Sequence, residues 1–304
     1  MNPTRRNFMQ TGGLALLAQL GTRAQGMKPI VRKGQQRLNL SLAAYSFRDL
    51  LPNYRSSKEP KATPMDILGF IDYAATLDID AVELTSYFIP DPCPADLANE
   101  IKRRCHIAGL DISGGAIGNN FAYGPGDVLD QQMDYTERWI KSYAAMGAPV
   151  IRVFAGHPKG KGADHDQAVL NIKRNLNTAC DIAGKHGVIL AMENHDFTTD
   201  VDRFLDIVEA IDSPWFGANL DTGNLAPTPD PYGQLARIAP YAVNAQVKVE
   251  IPVNGKKEPA DLPRIAQILK TSGYSGHVVL EYEAKPDPYQ AVPEYLAQLR
   301  QALG

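Results

Sequence analysis

The stretch of sequence that decides the fold lies at residues 187–196 and reads GVILAMENHD. A short apolar run is followed at once by an acid, an amide, an imidazole and a second acid. An apolar run of this length between a helix and a turn is typical of an interior parallel strand. Parallel strands of α/β folds deliver their last side chains to the C-terminal rim of the sheet, where such folds carry out chemistry. We therefore expect Glu193 to lie at that rim.

Three later strand-like runs carry a polar group at or beside their C-terminal ends. The runs and their polar groups are Trp215–Leu220 followed by Asp221, Tyr241–Val249 containing Gln246, and Gly276–Glu281 ending at Glu281. In a closed parallel sheet, consecutive strand ends are neighbours along one arc of the rim. We therefore expect these three side chains to converge with Glu193 on one point.

Eight strand–helix alternations fill residues 38–304, with no linker and no second domain. The alternation predicts an α/β fold, most simply a single closed (β/α)8 TIM barrel that forms the catalytic domain. An open doubly wound sheet is the alternative, and it would usually show a Gly-rich phosphate loop after the first strand. Tyr45-Ser46-Phe47-Arg48 stands there instead. The Gly-rich fragment at residues 114–118 opens a loop rather than a helix, which makes it a weak phosphate cradle.

Charge and cysteine content exclude several function classes. The formal net charge is −3 and the charges are scattered, so nothing predicts a nucleic-acid partner. Three cysteines at no metal-like spacing predict thiols without a metal or catalytic role. Beyond the first thirty residues, no segment is apolar enough to predict a membrane span.

The N-terminal segment, residues 1–26, is predicted to be an export signal rather than part of the fold. Thr4-Arg5-Arg6-Asn7-Phe8 precedes a mildly apolar core, Gly12–Leu20, which resembles a twin-arginine signal. A disordered basic tail is the alternative, and cleavage is expected near Ala24 or Gln25. The twin-arginine route moves folded proteins, so we expect a periplasmic protein that could take up a metal before export.

The four converging side chains predict a metal site. Three carboxylates close together in a partly dry pocket repel one another, and a divalent cation would relieve that repulsion. An all-oxygen shell suits Mn²⁺, Mg²⁺ or Co²⁺ better than Zn²⁺ or Cu²⁺. Each acid also has an ordinary alternative, which is to cap the next helix or to pair with a neighbouring base.

The segments MENH, NLDTGN, AQVKV and VVLEYE resemble the metal-site strand ends of xylose-isomerase-like TIM barrels, a superfamily of sugar phosphate isomerases and epimerases. The resemblance covers about residues 38–303. It implies one divalent metal, most simply Mn²⁺, held by the four residues Glu193, Asp221, Gln246 and Glu281. Two positions depart from the ketose 3-epimerase pattern, because Gln246 and Asn224 stand where those enzymes have histidine.

The resemblance also implies a mechanism. Glu193 and Glu281 would be the catalytic acid/base pair, one removing a proton α to a carbonyl and the other returning one, while the metal stabilises the enediolate. We expect further residues of the same rim to bind substrate, namely Tyr45, Phe47, Glu83, His157, His195, Asn224 and Lys248. Lys248 shares a strand face with Gln246 by the period-two rule. A salt bridge to Glu250 is its ordinary alternative.

The sequence is compatible with three functions. A metal-dependent sugar or keto-sugar isomerase or epimerase is favoured, a lyase or dehydratase acting on a 3-keto-glycoside or inosose is the second, and a non-catalytic sugar-binding barrel is the third. The nuclease branch of the superfamily needs extra metal-binding histidines and a basic groove, and six histidines with a net charge of −3 argue against it. The expected partner is a small carbohydrate, and the family analogy implies a homo-oligomer.

Overall fold

The computed structural model describes residues 26–160 and 163–304. The predicted export signal, apart from Gly26, lies outside the described residues. Within these residues, eight parallel strands form the barrel, namely β1 Leu38–Ala43, β2 Ala81–Thr85, β3 Asp111–Ala116, β4 Val150–Phe154, β5 Ile189–Glu193, β6 Phe216–Asp221, β7 Ala242–Val247 and β10 Gly276–Leu280. The barrel is closed, and its strands follow the order β1-β10-β7-β6-β5-β4-β3-β2. The predicted single (β/α)8 TIM barrel is confirmed.

In the part of the chain that the structure describes, eight α-helices surround the barrel. They are α1 Ile67–Ala74, α2 Ala95–Ala108, α3 Asp127–Met146, α4 His165–Lys185, α5 Val201–Val208, α6 Pro231–Ile238, α7 Leu262–Thr271 and α8 Pro288–Leu303. Several begin at an aspartate whose carboxylate accepts a hydrogen bond from the first turn, as Asp164 does from the Gln167 N–H at 3.0 Å. Among the described residues, no helix combines the length and apolarity needed to cross a membrane.

The strand register brings the predicted site residues to one level of the barrel. Phe154 at the end of β4 pairs with Glu193, and Glu193 pairs with Asn219 on β6. Asp221 at the end of β6 pairs with Gln246 on β7. Because these pairs sit at the C-terminal ends of parallel strands, their side chains share one rim.

The seventh strand is shorter than the predicted Tyr241–Val249, because β7 ends at Val247. An antiparallel hairpin follows it, formed by β8, Glu250–Val253, and β9, Lys256–Pro259. Asn254 and Gly255 form the turn with φ values of 50° and 78°. An Asn-Gly pair is the preferred sequence for such a turn, because both residues tolerate positive φ. Lys248 therefore lies outside β7, in the short connection between β7 and the hairpin.

Candidate active site

A cleft of about 450 Å³ opens at the C-terminal ends of the barrel strands. Glu193, at the end of β5, and Glu281, immediately after β10, both border it. Arg152 and Lys248 border the same space. The concave shape, the position on the barrel and the four convergent charged groups make this cleft the candidate active site.

Glu193 is held by two neighbours. It is only 3% exposed, and its Oε2 lies 2.9 Å from Nε of Arg152, which projects from β4. Asn224 Nδ2 donates a hydrogen bond of 2.8 Å to Oε1. Arg152 is fixed in turn, since its guanidinium donates to the Ile117 carbonyl at 2.7 Å. Burial raises the pKa of Glu193, and the Arg152 charge opposes that rise. The carboxylate therefore has a fixed orientation and a raised affinity for a proton.

Lys248 lies among three carboxylates. Its Nζ is 2.6 Å from Glu281 Oε2, 3.1 Å from Glu283 Oε1 and 3.3 Å from Asp221 Oδ2. Burial alone would lower the pKa of Lys248, but the surrounding carboxylates outweigh burial and raise it well above its usual value. Burial raises the pKa of Asp221 to about 6, although Lys248 opposes the rise. The ammonium group is thus charged and partly neutralises the acids around it.

A buried layer of polar side chains lies next to this cluster. Gln246 Nε2 donates to Glu83 Oε1 at 2.6 Å, and Asn219 Nδ2 donates to Gln246 Oε1 at 2.6 Å. Asn244 Nδ2 donates to both Glu83 Oε2 and Asn219 Oδ1 at 2.8 Å. Burial and the nearby Glu281 carboxylate raise the pKa of Glu83 to about 7. Each of these side chains is therefore satisfied inside the barrel.

A comparison with protein-family models identifies the chain. Residues 71–300 match the model described as the xylose isomerase-like TIM barrel. The chain belongs to the xylose isomerase-like TIM barrel family. A search of curated proteins found no match.

Several solved structures share the fold of this xylose isomerase-like barrel. A D-psicose 3-epimerase solved in the presence of D-fructose is 16% identical with a TM-score of 0.67, over 85% of this chain and 89% of that one. A 3-keto-D-glucoside 4-epimerase from E. coli is 17% identical with a TM-score of 0.62, over 88% and 100%. A family member from Mycobacterium smegmatis in complex with magnesium is 17% identical with a TM-score of 0.65, over 88% and 98%. At these identities the likeness shows the fold alone.

The predicted metal ligands of this xylose isomerase-like barrel do not fit a divalent ion as they are arranged. Lys248 Nζ lies 3.3 Å from Asp221 Oδ2 and 2.6 Å from Glu281 Oε2, so a positive charge already contacts two of the four predicted ligands. The Gln246 amide oxygen, predicted as a ligand, accepts a hydrogen bond from Asn219 instead. Within residues 26–160 and 163–304, no group of three or more His, Cys, Asp or Glu side chains is placed to hold a metal. The carboxylates of Asp221, Glu281 and Glu283 do lie close together, and the Lys248 ammonium group relieves their mutual repulsion.

Four of the predicted substrate-binding residues besides Lys248 border the cleft, namely Tyr45, His157, His195 and Asn224. His195 stacks on Phe154 with 4.5 Å between ring centroids. Burial lowers the pKa of His195, so the imidazole is neutral at neutral pH. The cleft thus offers aromatic rings, imidazoles and an amide around the two glutamates, which suits a hydroxyl-rich ligand.

Four predicted site residues do not border the cleft, namely Phe47, Glu83, Asp221 and Gln246. Asp221 is 0% exposed. Phe47 is 1% exposed and packs against Phe70 and Tyr289, with ring centroids 5.9 and 5.4 Å away, on the side of α1 and α8. Glu83 and Gln246 are 1% exposed and hydrogen-bond to each other. Phe47 and Glu83 therefore lie away from the cleft lining, and their role in substrate binding stays a prediction. Gln246 contacts Glu83 and Asn219 inside the barrel.

Two site residues were missed by the sequence reasoning. Arg152 pairs with Glu193, and Glu283 pairs with Lys248. A signal for Arg152 was present, because it lies in the middle of the otherwise apolar strand PVIRVF, and a charge inside a buried strand needs a partner. Glu283 had no such signal, since acids after a strand end are common in loops.

Proposed function

We propose that this protein is an isomerase or epimerase of a sugar or keto-sugar, which moves a proton on a carbon next to a carbonyl group. The observation that carries the proposal is the pair Glu193 and Glu281, two buried carboxylates that border one cleft and are each held by a buried cation. Such a pair can remove a proton from a carbon and return one to another face or to the neighbouring carbon. Two proteins of similar fold, a D-psicose 3-epimerase and a 3-keto-D-glucoside 4-epimerase, catalyse reactions of this class and support the proposal.

Each glutamate combines the properties that the reaction needs. Burial raises the pKa of Glu281 as it does that of Glu193, while Lys248 opposes the rise at Glu281. A base that must also return its proton works best when its pKa lies near the working pH. When the proton leaves carbon, the C–H electron pair forms a C=C bond and the carbonyl electrons move to oxygen. The other glutamate, which carries a proton at the start, donates that proton to the enediolate, and the carbonyl forms again. The two glutamates then have exchanged protonation states, and proton exchange with solvent restores them.

The resemblance predicts a divalent ion, Mn²⁺ before Mg²⁺ or Co²⁺, as the electrophile for that oxygen. A bound ion would act there as a Lewis acid. The contacts of Lys248 and Gln246 argue against that ion in the arrangement described above. The proton transfers assigned to Glu193 and Glu281 do not depend on it.

The test is incorporation of solvent deuterium. The purified protein is incubated in D₂O with a panel of ketoses and keto-glycosides, and exchange of carbon-bound hydrogen is followed by NMR. We expect exchange at a carbon next to the carbonyl, and we expect Glu193→Gln and Glu281→Gln to slow it by roughly 10²- to 10⁴-fold, the usual contribution of an acid/base group. Glu59→Gln, at an exposed loop residue, is the matched control and keeps the full rate.

The same experiment separates the alternatives. Exchange accompanied by loss of water or of an aglycone identifies the lyase or dehydratase, which begins with the same proton abstraction. Saturable binding of a sugar without exchange, equal in the wild type and both glutamine variants, identifies a non-catalytic sugar-binding barrel and overturns the proposal.

Three further predictions concern the whole protein. We propose that it is exported to the periplasm by the twin-arginine route, on the strength of the sequence at residues 1–26. Homo-oligomer formation, which the resemblance implies, stays a prediction. A carbohydrate is the proposed partner, and the scattered charges favour neither nucleic acid nor another polyanion.

A further inference from the structure

Contacts with neighbouring residues fix the position of Lys248. The residue follows β7 directly, and its backbone N–H donates to the Thr222 hydroxyl at 2.8 Å. A Cβ added to Gly223 would lie 2.6 Å from Lys248 Cγ, so a glycine at this position makes room for the Lys248 side chain. The Gly223 N–H in turn donates to Asp221 Oδ1 at 2.7 Å, which turns the other oxygen of that carboxylate toward the ammonium group.

Lys248 is surrounded by negative charge. Three carboxylates lie within 3.3 Å of Nζ, which donates to Glu281 Oε2 at 2.6 Å, whereas Asp221 Oδ2 is an ion-pair neighbour without a hydrogen-bond partner among the described residues. A lysine buried to 7% exposure would be costly without such partners. Three clustered carboxylates would be equally costly without a cation. Each group therefore stabilises the other, as a divalent ion and its ligands would.

We infer that Lys248 is the built-in cation of this active site and that its ammonium group takes the place which the family resemblance assigns to a divalent metal ion. The protein then needs no added metal to hold the carboxylates together. The catalytic part of the inference rests on the proposed function, because it gives Lys248 the task of stabilising the enediolate oxygen.

Substrate reaches Lys248 by replacing Glu283. The Glu283 side chain is 34% exposed, whereas those of Glu281 and Asp221 are 6% and 0% exposed. Glu283 is therefore the partner that a substrate oxygen can displace at the least cost in packing. The carbonyl oxygen then accepts a hydrogen bond from the ammonium group, and the negative charge that develops on it during proton abstraction is stabilised there. Lys248 keeps its proton throughout, and the displaced carboxylate is free to accept a bond from a sugar hydroxyl.

The experiment measures metal content and Mn²⁺ affinity in the full chain. Wild-type protein, Lys248→Ala and Lys248→Met are produced in Mn²⁺-supplemented medium, dialysed, and assayed by mass spectrometry for bound metal and by electron paramagnetic resonance for Mn²⁺ binding. We expect no stoichiometric metal in the wild type. We expect Lys248→Ala, which leaves three carboxylates around an empty space, to bind Mn²⁺ at least about tenfold more tightly than the wild type. Lys257→Ala, which removes an exposed lysine, is the control and behaves like the wild type.

Opposite outcomes overturn the inference. Wild-type protein that retains one tightly bound divalent ion after dialysis shows that the carboxylates bind metal in the presence of Lys248. Failure of both Lys248 variants to gain Mn²⁺ affinity, with native circular dichroism, shows that the cluster is not a cation site. The deuterium exchange of the wild type is measured with and without EDTA, and resistance to EDTA is expected. Absence of exchange with every sugar contradicts the proposed function alone, while the metal measurements still decide the role of Lys248.

Discussion

At the scale of single residues, the barrel interior is organised by how each buried charge is compensated. Glu193 has Arg152, the acids around Lys248 have that lysine, and Glu83 has only amides. A carboxylate that receives hydrogen bonds without a counter-charge gains less from ionising than a paired one. Burial and the nearby Glu281 carboxylate raise the pKa of Glu83 to about 7, and the amide hydrogen bonds oppose that rise only in part.

Glu83 should make the stability of the protein depend on pH. Its folded-state pKa of about 7 exceeds its ordinary value of 4.5, so the folded state binds the proton more tightly than the unfolded state. The resulting stabilisation is complete below pH 4.5 and is lost as pH rises through about 7. Glutamine cannot titrate, so we expect the free energy of unfolding of Glu83→Gln to lack this pH-dependent change, which is on the order of 3 kcal/mol in the wild type. Urea denaturation of both proteins between pH 5 and 8 measures it, and parallel pH profiles contradict the assignment.

The sequence predicted much of the candidate site because its signals are local. The apolar runs that end at Glu193 and Asp221 identify strand ends without knowledge of any other element. The roles of Gln246 and Lys248 were not predictable in this way, because both depend on which neighbouring strand supplies a partner. Asn219 and Glu83 bind the Gln246 side chain, and Asp221 with Glu281 binds that of Lys248.

At the scale of elements, close packing of helices on strands explains residues that the sequence could not interpret. Gly115 lies in β3 beneath α3, and a Cβ added there would meet the Tyr143 ring at 2.3 Å. The Tyr143 hydroxyl donates to the Leu84 carbonyl of β2 at 2.8 Å, which fixes the ring in that place. Gly115 therefore serves helix–strand packing, and the spacing of the glycines alone could not distinguish that role from ligand binding.

Gly115→Ala should destabilise the protein by about 1–3 kcal/mol, the usual cost of forcing extra volume into a packed interior. The ring cannot retreat without losing its hydrogen bond, so α3 has to shift as a whole. Gly124→Ala is the matched control, since the nearest atom to a Cβ there is Asn171 Nδ2 at 3.8 Å. Chemical denaturation of the two variants compares them directly. Equal free energies of unfolding would show that the Tyr143 ring adapts and that its close approach to Gly115 does not limit stability.

At the scale of the whole molecule, barrel closure links the two ends of the chain. β1 pairs with β10 in register from Leu38 with Gly276 to Leu42 with Leu280. Contacts so distant in sequence form only when the last strand is available, which delays folding until the chain is nearly complete. Cys93, Cys105 and Cys180 are free, so no disulfide has to form in an oxidising compartment. An export route that accepts a finished, folded barrel suits both features.

Export should therefore depend on the arginine pair. Residues 1–37 are fused to a fluorescent protein that becomes fluorescent only when it folds before translocation. Fluorescence is then compared between the periplasm and the cytoplasm of a bacterium with an intact twin-arginine system. We expect periplasmic fluorescence for the native segment and its reduction to background for the double change Arg5→Lys and Arg6→Lys. Arg23→Lys, which keeps the pair and alters a charge beyond the apolar core, is the control. Periplasmic fluorescence that survives the double change, or that never appears, identifies the segment as an ordinary basic tail and removes the reason to place the barrel outside the cytoplasm.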